Sequence, residues 1–197
     1  MKILAFTDTH GSKTHLERIK AKSKDVDLII CCGDLTLFAK NQKEHLEFLD
    51  SLNKTIIIIH GNHEEELSLR RMCSKTRNIK YIHNEVIIIG DTTIIGHGGG
   101  GFSSDYPDFR QNMKQFIELS KKTEKTILLT HAPPFETKLD EMNPGWHVGA
   151  YSYKEFIEKA QPNYAFSGHI HEKFGKKDKI GRTTLLNPGP DGEIIKI

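Results

Sequence analysis

Cysteine is scarce, at three in 197 residues. Cys31 and Cys32 are adjacent inside an apolar run and cannot readily bridge each other, and Cys73 stands alone in a basic, helix-like segment. Paired spacing is missing, which sets aside a disulfide framework and a thiolate metal site and leaves three reduced thiols in a reducing cytosol as the expectation. Long apolar runs are missing as well. No window approaches the roughly 20 apolar residues of a membrane span, so no membrane partner is expected. Met1-Lys2-Ile3-Leu4 runs straight into a strand-like pattern without a small-residue cleavage site. A secretory leader is therefore not expected, and a cytoplasmic location is. Neither sign of charge dominates: the formal balance is +2, too small to argue for nucleic acid or a membrane surface. No linker, low-complexity stretch or fixed-period repeat divides the chain, so residues 1–197 read as one domain with a sizeable core.

Histidine is what the chain has in plenty: 11 residues, about twice ordinary usage. Because histidine is both the commonest metal ligand and the neutral-pH acid or base, the excess asks for a reason. Apolar, largely β-branched runs at 2–7, 27–32, 54–59, 126–130 and 164–167 read as strands. Helical spacing marks 13–23, 40–52, 64–76, 108–122 and 152–160. The alternation in the first third predicts a parallel sheet wrapped by crossovers. Val86–Ile89 and Thr92–Ile95 about Gly90-Asp91 predict a hairpin. Arg182–Leu186 and Glu193–Ile197 read as closing antiparallel strands.

The strands end alike. They run into Asp8-Thr9-His10, Gly33-Asp34, Gly61-Asn62-His63-Glu64, Thr130-His131 and Gly168-His169-Ile170-His171. Ligands bind beyond the carboxyl ends of parallel strands. Asp8/His10 and His169/His171 are spaced by two, which on extended backbone places both side chains on one face. Asp8, His10, Asp34, Asn62, His131, His169 and His171 form a nitrogen and oxygen set without sulfur, suited to Mn²⁺, Fe, Zn²⁺, Ni²⁺ or Co²⁺. Seven ligands are too many for one tetrahedral ion, so two ions sharing a carboxylate are the economical reading. Such a pair clamps a phosphoryl group.

The ordered series D-x-H, G-D, G-N-H-E, H, G-H-x-H resembles the calcineurin-like metallophosphoesterase superfamily. Gly145-Trp146-His147-Val148-Gly149 and Gly168-His169-Ile170-His171-Glu172 resemble its small cytosolic branch, related to brain metallophosphoesterase-domain proteins. The resemblance implies an α/β fold of two mixed β-sheets packed face to face with helices outside. It implies two divalent ions, Mn²⁺ first among them. Asp8, His10 and His171 would hold one ion, and Asn62, His131 and His169 the other. Asp34 would bridge them, alongside a water or hydroxide. His63 would protonate the leaving oxygen, with Glu64 orienting its imidazole, and Asn62 could also touch the phosphate. The function implied is hydrolysis of small phosphodiesters. The alternatives are a phosphomonoesterase on nucleotides or small phosphates, and a metal-holding scaffold without catalysis. An intact His63 argues against the scaffold. Nucleic acid is not an expected partner, since no basic surplus or added recognition domain is present.

The other histidines divide. His15, His45 and His83 read as surface or structural, and His60 as a packed strand histidine. His97 opens the run Gly98–Gly101, which matches no nucleotide-binding fingerprint and reads first as a flexible connection. His147, beside Trp146, is a candidate for the substrate rim. The basic run 173–182 reads as a solvated hairpin.

Overall fold

Short β-branched runs pack well on a pleated surface and lose rotamer freedom in a helix. The computed structural model describes residues 1–197, and in it those runs form β1 (Lys2–Phe6), β2 (Leu28–Cys31) and β3 (Thr55–Ile58). They are parallel neighbours, crossed over by α1 (Lys13–Ser23) and α2 (Gln42–Asp50). α3 (Glu66–Cys73) leads into β4 (Ile79–Tyr81), parallel to β3. β5 (Glu85–Ile89) and β6 (Thr92–His97) make the expected hairpin. α4 (Pro107–Ser120) precedes β7 (Lys125–Thr130). A ribbon of β8 (Glu141–Asn143) and β9 (Trp146–His147) precedes α5 (Tyr151–Ala160). β10 (Tyr164–Phe166), β11 (Lys177–Ile180), β12 (Thr183–Leu186) and β13 (Glu193–Lys196) follow.

The strands assemble into two mixed sheets, β13-β1-β2-β3-β4 and β11-β12-β10-β7-β6-β5. Side chains alternate between faces along a strand, so a strand buried on both sides must be apolar throughout. Ile3, Leu28, Ile30 and Ile57 point toward the second sheet and pack with Ile94, Ile127, Leu129 and Phe166. Leu4, Phe6, Ile29 and Ile58 point the other way, onto Ile19, Leu46, Leu49 and Leu69 of the helices. The outer face of the second sheet carries Ile95, Leu128 and Leu185 against Phe109, Phe116, Tyr153 and Phe156. The order is helix, sheet, sheet, helix. Cys31 faces the helices and Cys32 the inter-sheet core, so neighbouring thiols sit on opposite sides of one strand. All three cysteines are free and buried. Burial pushes the Cys31 and Cys32 thiols far above the ordinary range and the Cys73 thiol up to about 12.

Two expectations about elements change. The tail strands do not pair with one another: β12 lies parallel to β10 and antiparallel to β11, while β13 closes the other sheet antiparallel to β1. The turn at Asn187–Gly192 carries the chain from the interior of the second sheet to the edge of the first. The third helix starts at Glu66 rather than Glu64. Glu65 is its cap, accepting the Leu67 and Ser68 N–H groups at 2.9 and 2.7 Å, and the Glu64 side chain turns inward.

Candidate metal centre

The five motifs leave β1, β2 and β3 of one sheet and β7 and β10 of the other. All are parallel strands, so their carboxyl ends share one rim. The local geometry differs from the extended pairs that spacing suggested. Asp8, His10, Asp34 and His169 all sit in left-handed backbone, with φ of 53°, 46°, 51° and 68°. These residues turn their side chains inward at tight bends, and each bend holds strain of order 1–3 kcal/mol. Two glycines make room. A Cβ on Gly61 would stand 2.0 Å from Asp34 Oδ1, and one on Gly168 would stand 2.4 Å from Asp8 Oδ2.

Asp34 lies at the middle. Its Oδ2 is 3.5 Å from His131 Nε2, 3.8 Å from His63 Nε2 and 3.9 Å from His10 Nε2. Its Oδ1 accepts the His63 backbone N–H at 2.9 Å. Asp8, His10 and His171 form one compact group, and His10 Nε2 and His171 Nε2 are 3.1 Å apart. Asp8, Asp34 and His131 form a second group, and His10, Asp34 and His63 a third. Asn62 Oδ1 lies 3.0 Å from His131 Nε2. His169 stands further out, its ring 5.2 Å from that of His131. The structure thus gathers all eight residues that the motifs named.

Three observations fit cations here. First, His131 Nδ1 donates to the Cys32 carbonyl at 2.8 Å, so in the neutral ring Nε2 would aim a lone pair at two oxygens. A proton or a metal must sit between them. Burial pushes this imidazole down, but the Asp34 carboxylate outweighs it and holds the pKa at about 9. Second, Asp8 Oδ1 and His169 Nε2 are buried without hydrogen-bond partners, as is His10 Nδ1. Burial lowers His169 to about 4, so its nitrogen is a free base at neutral pH. Third, the backbone carbonyl behind His131 is the kind of partner that orients metal-binding imidazoles. The donor set therefore fits two divalent ions.

Glu64 does not orient His63. Its carboxylate is buried, and Oε2 accepts the Asp34 and Gly61 N–H groups at 3.0 Å while Oε1 accepts the Thr36 N–H and hydroxyl at 2.8 Å. It ties the β2 and β3 loops together. Burial and the neighbouring Asp34 raise its pKa, against the pull of those donors. His63 is oriented by Phe38, whose N–H donates to Nδ1 at 3.3 Å and whose ring lies 4.3 Å away. No sequence signal marks Phe38. It follows strand β2 in an irregular loop with φ of 49°.

A second histidine cluster borders the centre. Tyr153 hydroxyl and Asp108 flank His97 at 2.6 and 2.9 Å, Gly98 N–H donates to His83 Nδ1 at 3.0 Å, and Tyr81 hydroxyl reaches His60 Nδ1 at 2.7 Å. His83, His97 and Asp108 have metal-like proximity. However, the Gly98 bond leaves the neutral His83 proton on Nε2, so no lone pair is offered there. The cluster holds the start of the glycine loop, through the Gly98 and Gly99 N–H groups. Burial lowers His60 to about 3 and His97 to about 4. Their folded-state pKa values lie below the ordinary 6.5, so the unfolded chain binds protons that the folded chain refuses. Their contribution to stability should be full above pH 6.5 and fall toward pH 4. The two together give a slope of about 2.7 kcal/mol per pH unit at its steepest. Urea melts at pH 7, 6 and 5 would check this, and His97→Gln should remove one proton's share of the slope, about 1.4 kcal/mol per pH unit.

A family model for calcineurin-like phosphoesterases matches residues 1–173. The chain belongs to that family. The chain is 31% identical over 99% of its length to an uncharacterized protein of Methanocaldococcus jannaschii, covering 91% of that relative. It superposes on TT1561 of Thermus thermophilus with a TM-score of 0.78 at 18% identity, covering 95% of this chain and 88% of that one. A dimetal phosphatase from Danio rerio gives a TM-score of 0.65 at 9% identity, over 94% and 86% of the two chains. Its two mixed sheets flanked by helices are the metallo-dependent phosphatase fold. No helix of the chain is long and apolar enough to cross a membrane.

Proposed function

We infer that the protein hydrolyses small phosphodiesters with two divalent ions, Mn²⁺ foremost. Asp8, His10 and His171 hold one ion, Asn62, His131 and His169 the other, and Asp34 is shared. The observation that carries this reading is Asp34 Oδ2 surrounded by three imidazole nitrogens at 3.5–3.9 Å. One carboxylate oxygen so placed serves two clusters at once. When bound, the ions neutralise phosphoryl charge and lower the pKa of water to supply a nucleophile. A neighbour described as a dimetal phosphatase on the same fold supports the assignment.

His63 is set apart from the ligands by its tautomer. The Phe38 N–H occupies Nδ1, so the neutral ring carries its proton on Nε2 and has no lone pair there for an ion. With the long Phe38 contact given up and the ring protonated, the imidazolium would pass its Nε2 proton to a departing alkoxide and be left neutral. His63→Gln should therefore lower kcat by about 10²–10⁴ on esters with alkyl leaving groups. It should cost far less on p-nitrophenyl esters, whose leaving group needs no proton. Metal content, read by elemental analysis, should not change. Undiminished alkyl-ester turnover, or loss of an ion with the substitution, would refute the role. The buried free thiols suit a cytoplasmic location, which we propose with the activity.

A further inference from the structure

An apolar groove of about 480 Å³ adjoins the metal centre, lined by Phe102, Phe135, Met142, Trp146, Tyr151 and His147. Its rings are open to solvent, with Phe102 66%, Trp146 57% and Tyr151 47% exposed. Clustered exposed aromatics mark a contact site rather than ordinary surface. Phe102 joins the groove to the chemistry: its ring meets that of His169 edge-on at 4.6 Å, so one residue walls both spaces. Phe135 lies tilted against Tyr151 at 4.1 Å and borders His147 at 5.8 Å.

The groove also holds one aimed polar group. Asp140 is fully buried and accepts backbone N–H groups of Glu136, Thr137 and Gly149 at 3.1, 2.7 and 2.9 Å. The same carboxylate holds His147 Nδ1 at 2.9 Å. Nδ1 is thereby the donor, and Nε2 is left without a partner in the protein. A buried carboxylate saturated by backbone donors fixes this imidazole as firmly as others fix metal ligands. A surface meant only to be apolar has no use for such a device.

We propose that the groove seats a planar, aryl-type arm of the phosphoester and that His147 Nε2 meets a polar edge of that arm, making these residues the specificity determinants. The proposal rests on the phosphoesterase reading. Planar arms would stack on Phe102 and Trp146, whereas a methyl arm would leave both rings wet.

Trp146 is the single tryptophan, so its emission reports the groove directly. Phenylphosphonate and methylphosphonate carry the same phosphorus head and cannot be hydrolysed. Titrated into the Mn²⁺-loaded full chain, phenylphosphonate should bind about tenfold tighter and shift Trp146 emission over the same concentration range in which it inhibits. Phe102→Ala should erase most of that preference, read as the ratio of phenylphosphonate to methylphosphonate affinity on the same metal-loaded variant. 4-Hydroxyphenylphosphonate should bind tighter than phenylphosphonate, and His147→Ala should remove only that added gain. Equal affinities for the phenyl and methyl compounds, or inhibition by both with Trp146 unmoved, would overturn the groove assignment while leaving the phosphoesterase reading standing. If neither phosphonate bound the metal-loaded protein, the phosphoesterase reading would itself fail, and the groove would lose its substrate with it.

Discussion

Asp34→Asn should abolish activity, by at least about 10³-fold, because the several kcal/mol that the paired ions contribute to phosphoryl transfer depend on holding both. The asparagine keeps the shape and the Oδ1 acceptor for the His63 N–H, so the fold should survive and the loss should be electrostatic. One negative charge is removed from a point within 4 Å of three imidazoles. Elemental analysis should show fewer than two ions per chain. A second readout needs no metal. The pKa of His131 stands at about 9 because the Asp34 carboxylate overrides burial. Without that charge only burial and weaker neighbours remain, so the NMR titration of His131 in the metal-free variant should move well down. A variant that kept two ions and full turnover would remove Asp34 from the centre.

Glu64→Ala should destabilise the fold strongly, with an expected loss of about 3–5 kcal/mol. Three backbone N–H groups, those of Asp34, Thr36 and Gly61, lose their shared acceptor in a site closed to water. The N–H of Asp34 belongs to the residue that both ions would share, so metal affinity should fall about 10–100-fold as well. Denaturant melts with and without Mn²⁺ separate the two effects. Glu64→Gln keeps one acceptor oxygen but turns an NH₂ toward N–H donors, so it should fall between wild type and alanine. If Glu64→Ala melted like wild type, the carboxylate would not be the clasp between the two loops.

Sequence order sufficed for much of this. Apolar runs of four to six residues ending in Asp, Asn or His placed the strands, their parallel direction and the ligand-bearing rim. Chemistry is local at a strand end, where the side chain type is the ligand type. The same locality misled at Glu64. Beside His63 in sequence it reads as that histidine's partner, but the bend after Asn62 sends it back under the β2 loop. Phe38, which does orient His63, is 25 residues away in sequence, and its contribution is a backbone N–H that any residue but proline would offer.

The five strand-end motifs, by themselves, pointed to the family that the family model matches, and they named the donor set and the separate role that we propose for His63. Only the tertiary structure decided how those donors converge. Left-handed bends at Asp8, His10, Asp34 and His169, rather than a two-residue period, aim them inward. Such bends persist only because packing from both sheets over-determines them, and that packing comes from residues far apart in the chain. The groove is likewise a tertiary product: Phe102 lies in the loop before α4 and Trp146 in the β8–β9 ribbon, and only the folded chain brings them to line one space.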